Sequence, residues 1–356
     1  MRYVYSGLIP QNIAPKGATK IGVYNSNGVR VAEIPLGRLA PVTKTKLYSF
    51  GLLSDIHVAG TPLTDATPSE HFDNALSYFE EQGCEFCAHA GDMTNIGFWA
   101  DKNDTTIYTT QFAEYKQICD LHPNMPVYGT CGNHENYNKK ITETLSELQT
   151  YSGHGLYYTI RQGNDLFIFI GQPASYETIN KEEVQWLYET LEANRNIRSH
   201  IFLHVFPPND SGNPKNSYTA YFGEYADVVK RLLSHYKNAI LYHGHSHTKF
   251  ICQELDETAN FTDKNGFRSL HIPSVSHSMD VVLQSDGSYK RVADYKSSQG
   301  YIVDVYDDCI VYNGIEFNSG KYEAFGTFKI DTTLQTIEAN TFTDSTGTIK
   351  KEQNND

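Results

Sequence analysis

Five short segments of the chain place residues able to bind a transition metal close together. They are Asp55-Ile56-His57, Gly91-Asp92, Gly132-Asn133-His134-Glu135, a lone His204, and Gly244-His245-Ser246-His247. Mixed imidazole and carboxylate ligands suit zinc, iron or manganese better than calcium. Asp55, Asp92, Asn133, His57, His204, His245 and His247 are more ligands than one tetrahedral ion uses, so two ions sharing a carboxylate fit the inventory. Paired metals about 3.5–4 Å apart activate a hydroxide and clamp both oxygens of an in-line displacement at phosphorus. Any one of these histidines alone would read as a hydrogen-bonded structural residue, and either aspartate alone as a helix cap. The set reads differently because of where its members fall.

Each segment follows or ends a run that reads as a strand: 47–54, 84–90, 126–131, 200–206 and 239–244, with a further run at 166–171. Most are nearly continuous in apolar residues, as expected of strands covered on both faces. Helix signals lie between them. Thr67-Pro68-Ser69-Glu70 offers a cap, a first-turn proline and a glutamate at the third position, followed by a Phe72, Ala75, Leu76, Phe79 stripe. Asn180 and Glu183 open a second helix over 181–194, and weaker patterns cover about 111–121, 139–149 and 222–237. This alternation predicts an α/β protein with a largely parallel sheet, whose ligands gather at the carboxyl ends of the strands.

The flanks differ from this pattern. Residues 1–46 read as a small β arm, with two strands around an Asn25-Ser26-Asn27-Gly28 turn. Short alternating strands at 301–307, 309–317 and 321–330 suggest a second sheet packed on the first, so that the main domain spans 47–330. Residues 331–356 read as a peripheral strand and tail.

Composition narrows the partners. Against 29 Lys+Arg stand 42 Asp+Glu, a net charge of −13 in 356 residues, which disfavours a polyphosphate or anionic membrane surface. A hydrophobic fraction of 39% supports a substantial core. With no apolar run near the ~20 residues of a membrane span and no signal-peptide pattern at its start, the chain is expected to be soluble and cytoplasmic. Its six cysteines are expected to be free thiols. Cys84 and Cys87 form a C-x-x-C, but a separation of three along a strand would put them on opposite faces.

In this order, D-x-H, G-D, G-N-H-E, a lone H and G-H-x-H resemble the five signature blocks of the calcineurin-like metallophosphoesterases. The resemblance covers roughly 47–250 and implies a four-layer α/β/β/α sandwich of two mixed sheets, here with the small N-terminal β arm. It implies two metal ions, with manganese, iron and zinc as candidates. Asp55, His57 and His247 would hold one ion, Asn133, His204 and His245 the other, and Asp92 would bridge them. A metal-bridging hydroxide would attack phosphorus in line, and His134 would protonate the leaving oxygen. The substrate would be a phosphate mono- or diester, such as a nucleotide or another small phosphorylated compound.

One position departs from the pattern. Calcineurin-like protein phosphatases carry an aspartate three places after the bridging one, where this chain has Asn95. A neutral amide can orient an imidazole but cannot stabilise imidazolium as a carboxylate does, so Glu135 is the expected alternative partner of His134. The G-D-x-V-D-R-G block of protein phosphatases is absent, which argues against phosphoprotein substrates. Purple acid phosphatases carry a tyrosine where Asn95 stands, so no tyrosinate-bound iron is expected.

Other candidates carry less. His243 reads as a packed strand residue, His271 and His277 as structural residues that could line the cleft. Asn209, Lys215 and Tyr218 belong to a Pro-, Gly- and Asn-rich loop, 206–218, placed to touch substrate or only solvent. Two alternatives from other classes remain: a nuclease acting on DNA, and a structural or binding module built on a phosphoesterase body.

Overall fold

The computed structural model describes residues 20–24, 30–35, 45–58, 67–96, 106–137, 146, 148–150, 152–174, 177–207, 222–250, 252, 262–264, 266–285, 289–317, 323–332, 334, 337, 343–344 and 347–348. The arm contains β1 (Lys20–Tyr24) and β2 (Arg30–Pro35), paired antiparallel as expected. The Asn209, Lys215 and Tyr218 loop and most of the 139–149 segment lie outside the described residues.

Most of the continuous apolar runs become strands buried on both faces, whereas 127–129 is half-buried. The first sheet is built on β3 (Tyr48–Leu53), β4 (Cys87–His89) and β5 (Val127–Gly129), which run parallel. It continues on the other side of β3 through three antiparallel strands, one per C-terminal hydrophobic run; these runs therefore extend the sheet of β3 by direct pairing and do not form the separate second sheet expected of them. The second sheet is built on β6 (Tyr157–Gln162), β7 (Asp165–Ile170), β8 (Ser199–Phe202), β9 (Ala239–His243), β10 (Thr262–Lys264) and β11 (Phe267–His271). Here β7, β8, β9 and β11 are parallel, while β6 and β10 pair antiparallel at the two edges. Next come the hairpin β12 (Ser278–Leu283) and β13 (Tyr289–Asp294), then β14 (Gln299–Val305), β15 (Cys309–Glu316) and β16 (Glu323–Asp331). Strand order is β16-β15-β14-β3-β4-β5 in the first sheet and β10-β11-β9-β8-β7-β6 in the second.

The alternation within each strand sorts side chains between layers. From β7, Phe167 and Phe169 enter the core between the sheets, while Leu166, Ile168 and Ile170 face the opposite side. Phe50, Phe86 and Phe167 meet between the sheets with ring centroids 5.1–5.3 Å apart. Burying each such side chain stabilises the fold by about 1.5–3 kcal/mol. Helices α1 (Pro68–Glu81) and α2 (Thr106–Leu121) cover the outer face of the first sheet; α3 (Lys181–Ala193) and α4 (Ala226–His235) cover that of the second. The result is the four-layer α/β/β/α sandwich with two mixed sheets. Both capping boxes form, Thr67 with Glu70 on α1 and Asn180 with Glu183 on α3. No helix among the described residues is long and apolar enough to cross a membrane.

Two further expectations need correction. The run 84–90 pairs only over Cys87–His89, because Gly83 adopts a positive φ of 72° and the Cys84 N–H turns back to the Phe79 carbonyl (3.0 Å) to close α1. Cys84 is therefore in a turn and shares one apolar cluster with Cys87 instead of facing away from it. Both are free thiols, and burial pushes Cys84 up to about 12, which leaves it unreactive. The run 200–206 pairs as a strand only to Phe202, so His204 lies just beyond the end of β8.

Candidate metal centre

All five segments singled out by their chemistry arrive at one edge, each just past the carboxyl end of β3, β4, β5, β8 or β9. Their backbones bend there in a way ordinary residues avoid. The described non-glycine residues with positive φ are Asp55 (54°), His57 (49°), Asp92 (52°), His245 (66°) and His247 (54°). Each such conformation costs roughly 1–2 kcal/mol, and concentrated local strain of this kind persists only where the surroundings over-determine it.

The determining contacts run between segments. Asp55 N–H donates to the Gly91 carbonyl (3.0 Å) and His57 N–H to that of Asp92 (2.9 Å), locking the first two turns together. One Asp92 oxygen, Oδ1, accepts the His134 N–H at 3.0 Å. Asp55 Oδ2 accepts the His245 N–H at 3.0 Å. Two glycines leave room for these approaches. A Cβ on Gly132 would collide with Asp92 Oδ1 and lie 2.6 Å from His204 Cδ2; one on Gly244 would collide with Ser54 Oγ and Asp55 Oδ2.

The remaining carboxylate oxygens and the ring nitrogens converge as two groups. In the first, His247 Nε2 lies 3.0 Å from Asp55 Oδ1 and 3.1 Å from His57 Nε2, and His57 Nε2 lies 3.8 Å from Asp92 Oδ2. In the second, His204 Nε2 lies 3.0 Å from Asp92 Oδ2 and 3.2 Å from His245 Nδ1. Asp92 belongs to both groups. In the turn after β5, next to the His134 N–H that Asp92 accepts, the amide of Asn133 donates to Tyr137 Oη (2.7 Å), leaving a buried Oδ1 with no partner.

These residues fit a pair of cations. His204 Nδ1–H donates to the Ala90 carbonyl (2.8 Å) and His247 Nδ1–H to the His277 carbonyl (3.1 Å), so Nε2 is the nitrogen that each ring turns toward the group. Converging ring nitrogens and carboxylates, with the unpartnered amide oxygen of Asn133 in the adjoining turn, call for positive charge. Burial opposes charge on His204, yet Asp92 and Asp55 overcome it and push its pKa up to about 9. Burial likewise disfavours the ionised Asp55 and Asp92, but the surrounding histidines hold both well below the usual carboxylate range.

His134 sits outside the ligand groups. Its Nε2 is 3.9 Å from Asp92 Oδ2 and its side chain keeps 23% of its surface exposed. The ring lies edge-on to His57 and packs on Tyr137, with centroids 4.5 and 5.0 Å away. Burial lowers its pKa, with Asp92 opposing. The carboxylate of Glu135 is committed elsewhere: Oε1 accepts from the Thr94 N–H (2.7 Å) and hydroxyl (2.9 Å), and Oε2 from the Gly132 N–H (2.7 Å). It ties the turn after β5 to the turn after β4. Asn95 is exposed, and its N–H donates to Gln111 Oε1 (2.7 Å).

The segment after β11 contributes more than its sequence suggested. His277 places its ring 4.6 Å from that of His247 and 5.8 Å from that of His57. His271 Nε2 is 2.8 Å from Ser246 Oγ, between the two histidines of the G-H-S-H turn, and His71 Nδ1–H donates to the Ser276 carbonyl (2.8 Å). His243 is packed against Phe206 and His271 in β9, as expected.

A family model described as calcineurin-like phosphoesterase matches residues 48–249. Among solved structures, a dimetal phosphatase from Danio rerio is 14% identical with a TM-score of 0.56, covering 81% of this chain and 100% of that one. Vps29 from Entamoeba histolytica complexed with zinc is 11% identical (TM-score 0.35; 80% and 99% covered). Yfce, a phosphoesterase from E. coli, is 10% identical (TM-score 0.34; 80% and 99% covered). The first of these likenesses speaks to the fold alone, and the other two are too loose to carry an argument. No curated protein matches.

Proposed function

The chain belongs to the calcineurin-like phosphoesterase family and is a metal-dependent phosphoesterase, and from that premise we propose that it hydrolyses mono- or diesters of nucleotides or other small phosphorylated compounds. The observation that carries this reading is the convergence of carboxylates and imidazoles into two groups that share Asp92. Asp55, His57, His247 and Asp92 hold one transition-metal ion, manganese, iron or zinc; Asn133, His204, His245 and Asp92 hold the other. When bound, such a pair supplies a hydroxide nucleophile near neutral pH and neutralises charge around phosphorus.

The chain's own groups do the rest. Asn133 brings a neutral oxygen where a carboxylate would cancel more of the metal charge, so the centre keeps an attraction for a phosphate anion within an acidic protein. His134, partly exposed beside Asp92, holds at Nε2 the proton given to the leaving alkoxide. Asp92 fixes the backbone of that residue by accepting its N–H, and the ring is held between His57 and Tyr137. Glu135 and Gly132 set the turn that brings Asn133 and His134 forward together.

Parallel assays of p-nitrophenyl phosphate, its bis-ester and DNA, with manganese added or chelated, test the proposal. Manganese-dependent release of nitrophenol from either ester supports it, and the ratio of the two gives the preference. Cleavage of DNA without turnover of either ester would replace it by nuclease action, which the net charge of −13 opposes. Fewer than about one transition metal per chain after growth with manganese, iron and zinc would favour a binding module instead.

A further inference from the structure

Next to the metal-binding groups lies an aromatic surface that the chemistry assigned above does not use. Tyr295, in the turn after β13, keeps 39% of its surface exposed while its ring packs on His277, with centroids 5.2 Å apart and planes 38° apart. His277 in turn leans on His247 and His57. His134 also packs on His57, and is backed by Tyr137. Two imidazole–tyrosine pairs, His134–Tyr137 and His277–Tyr295, thus both abut His57. The first carries the proton for the leaving group; the second has no acid–base task.

The position of the second pair is built in. Val275 N–H donates to the Ser54 carbonyl (3.1 Å), and Ser274 Oγ and Ser276 N–H donate to the Asp55 carbonyl (3.0 and 3.3 Å), which stitches the segment before His277 to a proposed ligand. The hairpin that precedes Tyr295 is pinned to the G-H-S-H segment. Met279 N–H donates to the His247 carbonyl (2.6 Å) and Lys249 N–H to the Met279 carbonyl (3.1 Å). The buried Lys249 ammonium bonds Asp280 (3.1 Å) and Asp294 (2.5 Å), the latter adjacent to Tyr295. A large aromatic ring is therefore held at a set distance from the reaction centre while part of its surface stays in water.

We propose that Tyr295 and His277 form the subsite for a planar aromatic group carried by the leaving alcohol, so that the enzyme selects aryl or nucleoside phosphate esters over aliphatic ones. The inference rests on the phosphoesterase reading above and assigns its substrate class. Stacking of a base or aryl ring on tyrosine supplies affinity without hydrogen-bond readout, and Nδ1 of the neighbouring His277 is already bonded to Ser276 Oγ (2.8 Å).

Two ligand pairs that differ only in the aromatic group test it: adenosine monophosphate against ribose 5-phosphate, and phenyl phosphate against methyl phosphate. Calorimetric Kd and, where turnover occurs, KM and kcat are measured on the manganese-loaded wild type, Tyr295→Ala and Tyr295→Phe. Tyr295→Ala is expected to weaken the aromatic member of at least one pair about tenfold. It should leave the aliphatic member, kcat and metal content unchanged, and Tyr295→Phe should behave as wild type. A loss confined to the adenosine pair identifies a nucleoside, and one confined to the phenyl pair an aryl ester. Equal weakening of both members, or of neither, overturns the subsite. Absence of turnover of any ester by the metal-loaded wild type would instead count against the phosphoesterase reading, and the Kd comparison would still decide the subsite.

Discussion

His57 and His247, 190 residues apart in sequence, hold their Nε2 atoms 3.1 Å apart, with Asp55 Oδ1 3.0 Å from the second of them. A cation between such groups replaces lone-pair repulsion by ligation and binds only the folded chain. Metal is therefore expected to raise thermal stability. At a free concentration of one hundred times Kd the gain is about 2.7 kcal/mol per site. Melting curves with manganese and with chelator check this; coincident curves would count against a metal centre here.

Asp92 and His134 should separate in their effects. Asp92 serves both ligand groups, so Asp92→Ala is expected to lose metal and turnover together. His134 touches the centre through its backbone N–H and ring edge, so His134→Ala should retain both metals while kcat falls about 10²–10⁴-fold. Elemental analysis beside steady-state kinetics distinguishes the two, and comparable metal loss in both variants would remove His134 from its assigned role.

The glycine of the G-N-H-E block makes a different prediction. A Cβ at Gly132 would collide with Asp92 Oδ1 and sit 2.6 Å from the His204 ring, so Gly132→Ala must displace one or the other. The expected cost is about 1–3 kcal/mol of stability, together with weakened metal affinity. A control at Gly155, where an added Cβ meets nothing within 4 Å, should leave metal affinity alone. Equal affinity in the two variants would mean that Gly132 is not needed for close approach.

His89 is fully buried, accepting the Gly91 N–H at Nδ1 (3.3 Å) and placing Nε2 2.9 Å from Tyr115 Oη. An accepting Nδ1 cannot carry a proton, and burial depresses its pKa from 6.5 to about 3. Below pH ~6.5 the unfolded chain takes up a proton here that the folded chain refuses, so this residue's contribution to stability falls as pH drops from about 6.5 toward about 3. The slope is at most about 1.4 kcal/mol per pH unit. His89→Gln keeps a donor and an acceptor but cannot titrate. Urea unfolding in chelator at pH 7, 6, 5 and 4.5 should show the variant gaining on the wild type with acidification; a constant gap between them would refute the account.

The part of the molecule legible in its sequence is the part with local signatures. Phe167 and Phe169 alternate with Leu166, Ile168 and Ile170 in a run apolar on both faces, and that run is a central strand covered on both sides. The five candidate ligand segments are legible as one group because each lies in or just after such a run. Cys84 departs from its expected strand position because the positive-φ turn at Gly83 bonds it back to α1, so that ladder pairing starts only at Cys87, a contact that an apolar run does not reveal. The pairing of His277 with Tyr295 had no such signature. It depends on a hairpin folding back onto the G-H-S-H turn through Lys249, Asp280 and Asp294, contacts set by tertiary structure and not by spacing.

At the opposite end of the strands from the metal-binding edge, a polar network joins the two sheets. Arg198 donates through Nε to Asp165 Oδ2 (2.9 Å) and through Nη1 to the Tyr306 carbonyl (2.8 Å) and Thr332 Oγ1 (2.9 Å), while Tyr48 Oη donates to the same Asp165 oxygen (2.5 Å). His200 lies 3.4 Å from that oxygen and 2.9 Å from Tyr242 Oη, which in turn meets Tyr312 Oη at 2.7 Å. Burial alone would raise the pKa of Asp165, but His200 and Arg198 hold it below the usual value, so the ionised carboxylate is the stabilising form. Removing its charge leaves a buried guanidinium without its counterion, which costs about 3–5 kcal/mol. Asp165→Asn is accordingly expected to lower the free energy of unfolding by that order. Because Asp165 itself opens β7, at the end of that strand away from the candidate metal centre, turnover per metal-loaded molecule should stay at the wild-type level. Urea unfolding and kinetics normalised to bound metal test both halves. A variant as stable as the wild type would show that the sheets are held by their aromatic core alone, and a fall in normalised turnover would show that this end of the sandwich is coupled to the site.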